Sequence, residues 1–81
     1  MNKELYGKLL KINKDFEDYY GDDWDKLYYH DLTTVDMIKV VSLFVDNVKD
    51  PMLVEIVVKK VFNSEEPIGF MVAFVYYKAI M

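Results

Sequence analysis

The 81-residue chain has no cysteine and no arginine, and its only histidine is His30. Without cysteine there is no disulfide framework and no thiolate zinc site. A domain this small must then hold together by packing, within itself or against another copy. Because every strong base is lysine, the bidentate fork with which arginine grips phosphates and carboxylates is missing. Together with a net charge of −4, that argues against direct nucleic-acid binding. Long apolar runs are absent too. The longest uncharged stretch, Pro67–Tyr77, is well short of the ~20 residues that span a bilayer. The amphipathic start, MNKELYGKLLKINK, has no apolar signal-peptide core. The expectation is one cytoplasmic domain, residues 1–81, with no membrane partner.

Chemistry-bearing patterns are equally scarce. A nucleophilic triad needs a nucleophile, a base and an orienting acid within reach of one another. Here Ser42 reads as a polar-face residue and Ser64 as a helix cap, which leaves His30 beside Asp31 without a partner. A calcium loop counted from Asp23 needs glycine at its sixth place and glutamate at its twelfth; those places hold Tyr28 and Thr34. So small a domain also has little material to wall a sugar-sized cleft between two carboxylates. No enzymatic activity, metal or cofactor is expected.

What the sequence does have is helical periodicity. Leu5, Leu9, Ile12, Phe16 and Tyr19 recur at steps of four and three from Lys3 to Tyr20, with Gly21 as a stop. Asp22 or Asp23 can cap a short helix to about His30, with Trp24, Leu27 and Tyr28 inward. Thr33 with Asp36 makes a loose capping box for a third helix, whose Met37, Ile38, Val41, Phe44, Val45 and Val48 share one arc. Asp50-Pro51 restarts the chain as an N-cap and first helical proline do. Leu53, Val54, Val57, Val58 and Val61 follow on one face, with Glu55 and Lys59 paired opposite. The last segment opens NSEEP, a cap with two first-turn acids. It continues IGFMVAFVYYKAIM, apolar on every side as a fully buried helix is. The fold class is therefore all-α, a compact bundle of four main helices plus one short helix. The alternative is α+β, because the valines of Met52–Phe62 and the residues Phe70–Tyr77 also suit a small antiparallel sheet.

Charge is unevenly placed. Asp15–Asp31 holds seven acids against Lys26 alone, while the remainder has nine lysines and seven acids. Asp22, Asp23 and Asp25 are explained by a helix start, where negative charge is favourable. Asp15, Glu17 and Asp18 crowd a helix end, where it is not, and pairing with Lys11 and Lys14 recovers only part of the loss. A local rule broken without compensation marks a place to look for function. The expected function is a non-enzymatic protein-binding module that presents this acidic corner to a basic surface on another protein. Asp15, Glu17, Asp18, Asp22 and Asp25 would supply charge, and Tyr20 and Tyr29 rigid anchors. The lysine-only, cysteine-free composition suits an inhibitor of viral or mobile-element origin, nucleic-acid mimicry being its sharpest form. The alternative is a self-associating structural domain, a homodimer through Phe70, Phe74 and Tyr77, because so small a bundle cannot surround its last helix.

If Asp15, Glu17 and Asp18 serve binding rather than folding, replacing them by Asn and Gln leaves the melting temperature unchanged or raises it by up to about 4 °C. A clear drop would make these charges structural.

Overall fold

The computed structural model describes all 81 residues and contains four α-helices and no strand. They are α1 (Lys3–Tyr20), α2 (Thr34–Asn47), α3 (Pro51–Phe62) and α4 (Ile68–Ile80). The α+β alternative is overturned, since both valine- and aromatic-rich segments are helical. In α3 the β-branched penalty is outweighed by its start and its burial. The Asp50 carboxylate accepts the Met52 and Leu53 N–H groups at 3.1 and 3.3 Å, Pro51 occupies the first turn, and Val57 and Val61 are buried. Opposite that face Lys59 hydrogen-bonds Glu55 at 2.9 Å. That bond, and then the ammonium charge, hold the Glu55 carboxyl below its ordinary range. The Asn2 side chain caps α1 by accepting from the Leu5 N–H at 3.0 Å.

The expected short helix does not form. Two single 3-10 turns, Trp24–Lys26 and Tyr29–Asp31, flank an extended Leu27 and Tyr28. The break has a cause in the last helix: the Leu27 carbonyl leaves the local path to accept the Ile68 N–H at 2.8 Å. One orphan donor at the start of α4 is thereby satisfied. The break also re-aims the side chains, so Tyr28 is exposed while Tyr29 packs against the core, its ring 5.3 Å from that of Phe62.

Two further expectations fail for related reasons. NSEEP does not cap α4. Asn63 closes α3, Ser64 takes a left-handed φ of 58°, and the Glu65 and Glu66 N–H groups both donate to the Lys60 carbonyl. This segment ends one helix, so its acids lie ahead of the next, which Pro67 opens without a side-chain cap. The inward arcs of α1 and α2 are also rotated from those expected. Tyr19 is 71% exposed and Tyr20 turns in; Ile38 is 58% exposed and Val40 is buried. In α2 the buried set is Met37, Val40 and Phe44, continued by Val48 just past its end. The helix carries more apolar residues than one face can bury, leaving Ile38 and Val45 outside.

α4 organises the core. Ile68, Met71, Val75 and Ala79 form its fully buried face, in contact with α1, α2, α3 and the Trp24–Lys26 turn. The chain is only 18 Å thick in its shortest dimension, room for two layers of helices at 8–10 Å spacing. No helix can be surrounded in such a slab, so α4 is not buried all round. Its outer face is open: Tyr77 is 58% and Ile80 47% exposed.

The Trp24–Lys26 turn sits on α4 at Gly69. A Cβ there would lie 2.7 Å from the Asp25 carbonyl oxygen and 2.9 Å from the Asp25 Cβ. Gly69→Ala is therefore expected to cost about 1–3 kcal/mol by overpacking. Gly7, in the exposed middle of α1 with nothing within 4 Å of such an atom, is the control: Gly7→Ala should stabilise by about 0.5–1 kcal/mol. Urea unfolding of the two variants gives opposite signs if the packing is as described.

Candidate functional site

Helix geometry divides the acidic corner. Asp15 and Glu17 are two residues apart on α1, hence about 200° apart around its axis at ~100° per residue, and they serve opposite flanks. Asp15 pairs with Lys11 at 3.4 Å. Asp18 is exposed and Lys14 makes no ion pair with it. Glu17 instead joins Asp22 and Asp25 around a shallow depression of about 440 Å³, floored by Trp24 and walled by Gly69, Ala73 and Tyr76 of α4.

The floor is rigid. Trp24 is buried, donates its Nε1–H to Asn13 Oδ1 at 3.1 Å, and meets Phe16 edge to face at 4.9 Å between ring centres. On the wall, the Tyr6 hydroxyl raises the Tyr76 phenol above its ordinary value, first by hydrogen bonding and then by charge repulsion.

The three carboxylates of the rim are unpaired. Asp15, Asp23 and Asp36 each have a lysine within 4 Å and Asp31 lies 3.7 Å from His30; Glu17, Asp22 and Asp25, like Asp18 outside the rim, have no cationic neighbour and accept no hydrogen bond. Capping does not account for Asp22 and Asp25, as the broken helix leaves both without an amide to receive. These charges are satisfied by solvent alone.

Tyr20 and Tyr29 do not join the depression. The Tyr20 hydroxyl accepts the Thr33 N–H at 3.0 Å and donates to Asp36 Oδ2 at 2.6 Å. It completes a capping box that aspartate, one methylene shorter than glutamate, leaves open: Thr33 Oγ1 accepts the Asp36 N–H at 3.2 Å, and Tyr20 bridges the return path. Tyr29 lies with His30 on a separate groove of about 490 Å³, alongside Leu32, Met37, Ile38 and Phe62. Thr34 and Ser42 also border that groove, yet neither hydroxyl is hydrogen-bonded to His30, whose Nε2 is 3.7 Å from Asp31.

Phe70, Phe74 and Tyr77 are brought together. With Ala73 they line an apolar hollow of about 410 Å³ on the outer face of α4. The Phe70 and Phe74 rings meet edge-on at 5.4 Å. Sequence inspection missed Gly69, Ala73 and Tyr76. Gly69 had a signal, since a glycine in the first turn of an otherwise apolar helix marks a close backbone approach.

No group of three or more His, Asp or Glu side chains is gathered tightly enough to hold a metal ion. No helix is long and apolar enough to cross a membrane. No protein-family model, curated protein or solved structure matches the chain, so function has to be inferred from the chemistry of these surfaces.

The Tyr20 bridge makes a direct prediction. Tyr20→Phe removes both bonds, leaving the exposed Thr33 amide to solvent and Asp36 with Lys39 alone, and should cost about 0.5–1.5 kcal/mol in urea unfolding. Tyr19→Phe, on the exposed side of the same turn, should cost nothing measurable.

Proposed function

We propose that the protein is a non-enzymatic binding module that presents Glu17, Asp22 and Asp25 to a basic surface on another protein. The observation that carries this reading is the grouping of three unpaired carboxylates around one depression, while the nearby Asp15, Asp23 and Asp36 are each paired with a lysine of the same chain. Bringing three like charges to one rim without a cation disfavours the isolated fold slightly, and a basic partner reverses the sign. The charge also steers encounter, an effect that fades as salt shortens the Debye length from ~10 Å at 0.1 M to ~3 Å at 1 M. A module of this kind acts by occupancy, and becomes an inhibitor where the covered basic surface is the partner's own working face. Asp15 and Asp18 contribute to the long-range field rather than to contact.

A second reading, self-association, is favoured by one observation: Phe70, Phe74 and Tyr77 share an exposed hollow that carries no charge.

Affinity capture from the native host lysate separates the two faces of α1. A basic protein retained by the wild type should be lost with Glu17→Lys/Asp22→Lys/Asp25→Lys and kept with Asp15→Lys/Asp18→Lys, and its retention should fall steeply between 0.1 and ~1 M salt. Equal retention by all three chains contradicts the proposal.

A further inference from the structure

The acidic depression and the apolar hollow are one surface. Ala73 lines both, and the spacing Phe70, Ala73, Tyr77, Ile80 sets a single uncharged stripe along the outside of α4. Glu17, Asp22 and Asp25 run beside it on the Gly69–Tyr76 flank, and the stripe itself is the feature that needs a cover. Phe70 and Phe74 lean partly on the core, Phe74 with its ring 6.3 Å from that of Phe44, while Ala73, Tyr77 and Ile80 stay exposed on the outer face.

The geometry points to a specific occupant: an amphipathic helix of a partner protein, laid along α4 with its apolar stripe on Phe70, Ala73 and Tyr77 and lysines or arginines on the adjoining flank. This rests on the reading of Glu17, Asp22 and Asp25 as a partner-facing ledge, and adds the shape and chemistry of what sits there. In helix-in-groove recognition an amphipathic helix lays anchors at i, i+3, i+4 and i+7 into an apolar groove; here the hollow of about 410 Å³ lined by Phe70, Ala73, Phe74 and Tyr77 receives them. Charge complementarity then decides among helices. An acidic or neutral helix would leave three carboxylates desolvated beside an apolar contact with no counter-charge, whereas a basic flank pairs all three. It also fixes direction and side, because the ledge lies on only one flank of α4.

The test uses a fluorescein-labelled peptide of about 18 residues, long enough at ~1.5 Å per residue to cover the stripe. It carries leucines at i, i+3, i+4 and i+7 and lysines along one flank. One control has the same composition scrambled to remove the stripe; a second keeps the stripe with Glu in place of Lys. Fluorescence anisotropy is read for the wild type, for Glu17→Lys/Asp22→Lys/Asp25→Lys, and for Tyr77→Glu, each first shown by circular dichroism to keep its helix content. The patterned basic peptide should bind the wild type about tenfold tighter than either control, and each variant should lose about tenfold. If the scrambled peptide binds as tightly and the ledge variant weakens it, the helix inference is overturned while the acidic-module reading stands. Binding that neither variant changes, or no saturable binding, overturns both. A wild type that sediments at twice the monomer mass, and as a monomer after Tyr77→Glu, gives the stripe to a second copy and overturns the inference.

Discussion

The missing side chain at Gly69 is the constraint on which the surface chemistry depends. It lets the backbone of Asp25 lie closer to α4 than any Cβ would permit, and the Leu27 carbonyl then reaches the first amide of that helix. Those two contacts pull the chain out of the helical path it would otherwise follow after Gly21. Asp22 and Asp25 lose the capping role that a continuous helix would have given them and are set instead beside Ala73 and Tyr76. Glu17 comes to the same rim because α1 turns that flank towards α4. Trp24 makes the arrangement stiff, being held from below by Phe16 and from the side by Asn13.

A second contact fixes the other end of the corner. The Tyr20 hydroxyl bridges the Thr33 amide and the Asp36 carboxylate, tying the last residue of α1 to the first turn of α2. The segment between them, acidic and aromatic in composition, is thus held at both ends and in its middle, with no cysteine or metal involved. Its aromatics mostly build the corner. Its acids divide between those paired within the chain and those that remain free.

The starts of α2 and α3 were the most legible part of the fold. Thr33, Asp50 and Pro51 act within a few residues of where they stand, so their chemistry needs no knowledge of the tertiary structure. Facing was harder. α2 has eight apolar residues and α4 carries a single charge, Lys78, so periodicity alone could not decide that Val40 turns in while Ile38 turns out, or that Tyr77 is exposed. Tyr20 read as a surface anchor because its partners, Thr33 and Asp36, lie beyond a loop whose path depends on Gly69. The candidate site was legible in its charge and not in its grouping. Asp15, Glu17 and Asp18 are neighbours in sequence, yet the turn of a helix puts Asp15 and Glu17 on opposite flanks. Asp22 and Asp25 looked like helix caps until the helix proved broken. The apolar set Phe70, Phe74 and Tyr77 was recoverable because all three lie on one unbroken helix, where spacing does determine proximity.

The molecule carries two apolar surface grooves against which the proposal can be tested: the α4 stripe with its acidic ledge, and the separate groove beside His30. Titrating isotope-labelled protein with the patterned basic peptide, and following backbone amide shifts by NMR, distinguishes them residue by residue. The account predicts that shifts concentrate at Glu17, Asp22, Asp25, Ala73, Tyr76 and Tyr77. Shifts gathered instead at His30, Ile38 and Phe62 would contradict it.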